Sequence, residues 1–149
     1  MGFKLLERAT DLYPFITPCD ESITDRDAWA RYSESGDESI LKLSGDATRF
    51  LIRPAEQRLI EQAEHWVGKG GTPELSRATA RELVRVCVGG VENPPEDWPK
   101  PVMARERGET LLAREVVDRL PQEATLTIAL FALRLGHGVA NWRRVGSGK

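Results

Sequence analysis

The sequence predicts a mainly α protein with a small β-hairpin, an α+β fold in which the hairpin packs on a bundle of about four helices. Three observations lead to this class. Residues Ser39–Ile52 carry the alternation, turn chemistry and β-branched residues typical of a hairpin. Later stretches repeat apolar side chains at helical spacing. Prolines interrupt residues 1–38, which predicts an irregular N-terminal arm.

The length and composition are those of one soluble domain with short extensions. The chain has 149 residues, of which 40% are hydrophobic and 30% charged, both ordinary values for a globular protein. We divide it into the irregular arm (1–38), a single hairpin-plus-helical domain (39–142) and a basic tail (143–149). The domain is long enough to bury a substantial core.

The N-terminal arm is rich in aromatic side chains although its pattern is irregular. Asp25–Tyr32 predicts a short helical turn that places Trp29 and Tyr32 on one side, and Phe15 lies between two prolines. These aromatics either dock on the protein's own core or, if the arm is mobile, contact a partner. Phe15, Trp29 and Tyr32 are therefore candidate partner-binding residues.

The predicted hairpin leads directly into the first helix of the domain. Ser39–Leu43 and Thr48–Ile52 are the two strands, and Ser44-Gly45-Asp46-Ala47 supplies the turn between them. Pro54 suits the first turn of a helix, because its missing N–H is not needed there. The helix then carries an apolar stripe of Ala55, Leu59, Ile60, Ala63, Trp66 and Val67, which we expect to cover one face of the hairpin.

Three further helices are expected after this one. The second runs from a Thr72 N-cap to Gly89-Gly90, and the third from Gly108 to Leu120. The fourth, Gln122–Leu135, is apolar nearly all round, which places it at the centre of the bundle.

A proline-rich segment, Val91–Arg107, separates the second helix from the third. Its prolines predict a long extended loop, and such loops in compact domains are usually functional or disordered. Trp98 lies within it. That side chain either anchors the loop on the domain or forms an exposed aromatic contact for a partner.

Charge is unevenly distributed although the net charge is only −2. Residues 1–38 carry nine acids and four bases, whereas no acid follows Glu123. Solvated surface is the favoured interpretation, and a polar contact between copies of the chain is the sharper one. Trp142 at the end of the domain and Arg143 and Arg144 of the tail are candidate partner contacts. A small regulatory or nucleic-acid-binding module using the basic tail is the alternative function.

The residues that could perform catalysis do not converge in the sequence. His65 and His137 have no metal-ligand spacing with other residues, and the two cysteines, Cys19 and Cys87, form no CxxC motif. We expect free thiols in a reducing compartment. The longest apolar run, Ala124–Leu135, is too short to span a bilayer. No catalytic residue, cofactor or metal is predicted, and neither an enzyme nor a membrane partner is expected.

Three segments resemble the small tail-assembly and tail-accessory proteins of long-tailed bacteriophages. They are DATRFLIRPAEQ, RELVRVCVGGVEN and VVDRLPQEATLTIALFAL, and the similarity spans about residues 40–135. In that family a short β unit with an R-P-like turn precedes the helices. An element of the G-x-E-N type closes the second helix, and an L-P step opens the last. Residues 1–38 and the proline-rich segment depart from this pattern.

The resemblance implies a non-enzymatic virion-assembly or tail and baseplate accessory protein. Its partners would be other tail, connector or baseplate proteins, or copies of itself, and nucleic acid is not expected among them. It would act in the host cytoplasm during assembly. Whether it is a transient chaperone or is retained in the virion stays open at this point.

Overall fold

A computed structural model describes residues 11–61 and 76–136. The α+β class is confirmed, since helices alternate with two small antiparallel sheets. In chain order the elements are β1 (Tyr13–Phe15), α1 (Arg26–Ser35), a 3-10 turn (Glu38–Ile40), β2 (Arg49–Ile52), α2 (described over 57–61), α3 (Arg77–Cys87), β3 (Val88–Glu92), β4 (Met103–Glu106), β5 (Glu109–Leu112), α4 (Arg114–Arg119) and α5 (Gln122–Gly136).

The first sheet has the order β1-β2-β3, with both pairs antiparallel. Phe50 lies opposite Phe15 on one side and Val91 on the other. The register shifts between Leu51 and Ile52, which leaves Gly89 as an extra residue in β3. A Cβ at Gly89 would lie 2.6 Å from Arg53 Nη2 and 2.7 Å from Leu12 Cδ2, so a larger residue at this bulge would require both side chains to move.

The predicted hairpin at Ser39–Ile52 is wrong. Its second strand exists as β2, but Ser39 lies in the 3-10 turn, where the Asp37 carboxylate accepts from Ser39 N at 3.0 Å and from Ser39 Oγ at 2.6 Å. The following segment runs beside residues 22–24 instead of folding back on β2. Ser44 N donates to the carbonyl of Ser22 at 3.0 Å. Local capping and these tertiary contacts satisfy groups that a hairpin would have used.

The predicted irregular arm contains β1 and α1. The carboxylate of Asp25 caps α1 by accepting from the N–H groups of Asp27 and Ala28, and Gly36 ends the helix with φ 76°. Tyr13 and Phe15 of β1 belong to the main core cluster. The N-terminal segment is therefore part of the folded unit from Tyr13 onward.

The helices pack on the sheet around a core centred on α5. Buried side chains of α5 include Ile128 and Phe131, and α3 packs against it through the face that carries Leu83. Ala55 N donates to the carbonyl of Ala132 at 3.0 Å and so ties the segment just before α2 to α5. The prediction of an apolar central helix is confirmed, whereas the predicted bundle of about four helices with a hairpin packed on it is not.

The proline-rich segment and the predicted third helix are partly β structure. β4 and β5 form a hairpin around Arg107 and Gly108, both with positive φ. The helix expected from Gly108 starts only at Arg114. Likewise, Gly89 and Gly90 do not merely stop α3, because they lie within β3. What remains irregular of the segment is residues 93–102, which we name the proline loop.

Candidate functional site

Two of the predicted partner-binding aromatics lie in the protein's own core. Phe15 is 2% exposed and Tyr32 is fully buried. The ring of Phe15 stacks on Phe131 with centroids 4.5 Å apart, and the Tyr32 hydroxyl accepts a hydrogen bond from Ile16 N at 2.9 Å. Burial raises the pKa of Tyr32 well above its usual range. Neither ring offers a surface to a partner in this conformation. Of the two alternatives given for these aromatics, both therefore follow the first, which is packing on the protein's own core.

Trp29 is half-buried and serves the same cluster. Its indole Nε1 donates to the carbonyl of Ile16 at 2.8 Å, and its ring meets Phe15 edge to face. These contacts fasten α1 across β1.

Trp98 pins the proline loop onto the sheet. Its ring lies 5.9 Å from that of Phe50 and remains half-buried. Its backbone N–H donates to the carbonyl of Pro95 at 3.2 Å. This matches the anchoring interpretation, although part of the indole still faces solvent.

The predicted tail contacts Trp142, Arg143 and Arg144 lie outside the described residues, as do His65 and His137. The alternative function that uses the tail stays a prediction.

The proline loop is held at its start as well as at Trp98. Asn93 adopts a φ of 55°, its carbonyl accepts from Thr48 Oγ1 at 2.8 Å, and its side-chain amide donates to the carbonyl of Ala47 at 3.3 Å. Between the two anchors the chain is solvent-exposed from Pro94 to Asp97. The result is a displayed, tethered turn that carries two carboxylates, those of Glu96 and Asp97.

A groove of about 340 Å³ lies between the end of this loop, α3, β4 and the start of α4. We call it the basic groove. Its apolar lining is Pro99, Pro101, Ala104 and Ala113, and its charged lining is Arg85, Lys100, Glu106, Arg114 and Glu115.

Arg85 is the most buried charge in the basic groove. Its side chain is 14% exposed, and its Nη2 forms an ion pair with the carboxylate of Glu106. Its Nε is buried and has no hydrogen-bond partner within the described ranges. Ala113 N donates to the carbonyl of Val102 at 2.8 Å, which joins the loop to the start of α4 at the groove.

Sequence reasoning missed Arg85, because its position among the charges of an amphipathic helix is typical of a solvated surface residue. The ion pair that the structure shows instead joins α3 to a hairpin, and no local spacing reports such a contact. Lys100 could have been noticed, since it lies beside the prolines that marked the loop as unusual.

A second surface lies on α5. Leu130 is 51% exposed, and the half-buried Leu126 and Leu133 share its side of the helix at i−4 and i+3 spacing. We call these three residues the leucine stripe. A surface-exposed leucine alone is ordinary, but three in line on a helix form an apolar patch.

The two thiols have environments that suppress nucleophilic chemistry. Both cysteines are free, Cys87 buried and Cys19 half-buried. Burial raises the pKa of Cys87 to about 12. Burial, with the nearby carboxylate of Glu123, also raises the pKa of Cys19. Because the thiolate is the reactive form, neither sulfur is activated at neutral pH.

The described residues show neither a cluster of metal ligands nor a membrane-spanning helix. Across residues 11–61 and 76–136, no three His, Cys, Asp or Glu side chains are grouped so that they could hold a metal ion. None of the helices in those ranges has the length and apolar content needed to cross a bilayer.

Comparison of this chain with protein-family models, with curated proteins and with solved structures finds no match.

Proposed function

We propose that this chain is a non-enzymatic assembly or accessory protein of a long-tailed bacteriophage tail or baseplate, acting through protein–protein contacts. The phage assignment comes from the sequence resemblance alone. The adaptor role is supported by one structural observation, the tethered display of the proline loop.

A tethered loop is suited to binding because its shape is set before the partner arrives. The Asn93 contacts and the packing of Trp98 on Phe50 restrain both ends of the exposed stretch 94–97. Restraining a loop in advance lowers the conformational entropy lost on association. The prolines Pro94 and Pro95 restrict the backbone further.

The leucine stripe supports the same role. Apolar patches on a helix surface commonly mark contacts with other proteins. A chain with two separate surfaces, one acidic and one apolar, can join two different partners or two copies of itself.

We also propose that α2 to α5 form the helical bundle expected from the sequence. The proline loop is then a surface segment outside this bundle. The contacts of α3 with α5, and the hydrogen bond from Ala55, just before α2, to Ala132, support this arrangement.

Co-expression with the products of neighbouring genes tests the function. A tagged chain is expected to retain at least one of those proteins through size-exclusion chromatography, and mass spectrometry of purified particles reports whether it stays in the virion. A chain that elutes as a monomer with each of them would contradict the proposal.

Charge reversal in the loop tests the surface. Glu96→Lys is expected to weaken retention of the partner, because it reverses charge on the displayed turn. Glu34→Lys is the matched control, since Glu34 is equally a surface carboxylate but lies on α1. Equal retention by both variants would show that the loop is not the contact.

A further inference from the structure

In the basic groove only one of the two adjacent donors of the Arg85 guanidinium, Nη2, pairs with a carboxylate of a described residue. A guanidinium presents Nε and Nη2 as parallel donors that one carboxylate can accept together. Here Nη2 pairs with Glu106, whereas Nε is buried without a partner in the part of the chain that is described. A buried donor left in this way costs free energy, so a ligand that satisfied it would gain affinity.

Glu106 is the more exposed partner of this ion pair. Its side chain is 44% exposed, against 14% for Arg85, and it lies at the end of β4, beside the turn of the hairpin. Water therefore reaches the Glu106 carboxylate and competes with Arg85 for it. A second carboxylate can therefore replace Glu106, which would turn into solvent.

The rest of the groove suits a short acidic segment. Lys100 and Arg114 are exposed cations at its rim, and Pro99, Pro101 and Ala104 supply apolar lining beside them. A volume of about 340 Å³ is at the small end for binding pockets, enough for one or two side chains.

We propose that the basic groove binds an acidic peptide segment of a partner protein. A Glu or Asp side chain of that segment displaces Glu106 from Arg85, and a neighbouring apolar side chain packs on Pro99 and Pro101. This inference rests on the proposed adaptor function and names the partner chemistry. A nucleic acid fits less well, because a phosphate backbone is bound along an extended row of cations, whereas this groove is small and part of its lining is apolar.

Fluorescence polarisation on the full chain tests the groove directly. The probe is a fluorescein-labelled, C-terminally amidated peptide in which Glu alternates with Leu, so that only side-chain carboxylates are offered. The same peptide with Gln in place of Glu is expected to bind much more weakly. Binding of the Glu peptide is expected to weaken as salt is raised.

Two variants are expected to change the affinity in opposite directions. Glu106→Gln removes the competing carboxylate and is expected to tighten binding about two- to fivefold. Arg114→Gln removes a rim cation and is expected to weaken it by a similar factor. The matched controls are Glu109→Gln on the same hairpin and Arg119→Gln on the same helix, both outside the groove.

Arg85→Lys keeps the charge and removes the fork, and it is expected to abolish the preference for the Glu peptide. Thermal unfolding establishes whether each variant is folded. If Arg85→Lys is not folded, the affinities of Glu106→Gln and Arg114→Gln test the proposal without it. Equal binding of the Glu and Gln peptides, or Glu106→Gln behaving like Glu109→Gln, overturns the proposal. So does tighter binding of a single-stranded oligonucleotide that is lost in Arg114→Gln.

The peptide assay and the co-expression assay fail independently. If the chain retains a neighbouring gene product but does not bind the peptide, the adaptor function is supported and the proposal for the groove is contradicted. If it binds the peptide but retains no such partner, the proposal for the groove is supported and the phage-assembly role is contradicted.

Discussion

The N-terminal segment 11–35 and the proline loop look alike in sequence but behave differently in the fold. Both are proline-containing and aromatic, and neither shows a clear periodicity. The first buries Phe15 and Tyr32 almost completely, whereas the second leaves residues 93–97 exposed and only half-buries its aromatic residue, Trp98. The difference lies in what each meets, because Phe15 contacts three aromatic rings and Trp98 has one ring contact among the described residues. Whether an irregular aromatic segment is buried in the core or lies on the surface thus depends on which residues, distant in sequence, pack against it.

The largest expected effect is that of Phe15→Ala. Removing a ring stacked on Phe131 and Tyr32 leaves a cavity, and we expect a loss of about 3–5 kcal/mol in the free energy of unfolding. Urea denaturation measures it. Phe15→Leu, which nearly keeps the volume, is the control and is expected to cost less than about 1.5 kcal/mol. A small loss for Phe15→Ala would mean that the N-terminal segment is as loosely held as the loop.

Tyr32→Phe is expected to have the next largest effect. The hydroxyl accepts from the buried Ile16 N–H, so its removal leaves that donor unsatisfied at a cost of about 2 kcal/mol. The ring stays in place, so the loss separates hydrogen bonding from packing. Denaturant titration measures the loss, and a neutral result would show that water reaches Ile16 N.

Trp98→Ala is expected to cost less, about 1–2 kcal/mol, because the indole is only half-buried on Phe50. Partner retention is expected to fall more than stability does, since the tether of the loop is lost. Trp98→Phe, which keeps an aromatic contact, is expected to restore most of both. If Trp98→Ala retained the partner fully, the anchoring of the loop by Trp98 would not matter for binding, and the contrast drawn between the two segments would be contradicted.

Arg26→Gln is expected to have the smallest effect, and it depends on pH. Hydrogen bonding to Arg26 lowers the pKa of Glu123, and the two side chains meet at 2.5 Å across α1 and α5. A carboxyl with a lowered folded pKa stabilises the protein above its unfolded pKa, and that stability is lost as the pH falls through the folded pKa. The variant is therefore expected to be slightly less stable than the parent at pH 7 and equal to it in strong acid.

Unfolding at a series of pH values checks this expectation. Arg31→Gln removes an exposed charge from the same helix and is expected to leave the acid dependence unchanged. An equal shift in both variants would assign the effect to net charge and not to the contact with Glu123.

Elements with a strong local pattern were predictable from the sequence. The apolar run after Pro121 is α5, and the β-branched and aromatic residues Thr48–Ile52 contain β2. The pairing of β2 was not predictable, because both of its neighbours are distant in sequence. The turn chemistry of Ser44-Gly45-Asp46 favoured the nearest strand, yet Asp37 and Ser39 fix a 3-10 turn there instead.

The candidate site was only partly visible in the sequence. Prolines and Trp98 identified the loop, since they break periodicity. Arg85 joins the basic groove through an ion pair with Glu106 that crosses from a helix to a hairpin. Such a contact depends on tertiary packing, and the sequence around Arg85 resembles any charged helix surface.

The sheet order β1-β2-β3 also determines how the chain can be divided. The central strand β2 takes one neighbour from before it and the other from after α3. A fragment that stops short of Val88 would leave Phe50 and Ile52 beside an open row of hydrogen-bonding groups, ready to join another chain. Two fragments cut between β2 and α3 are therefore not expected to fold separately, because the first sheet needs strands from both.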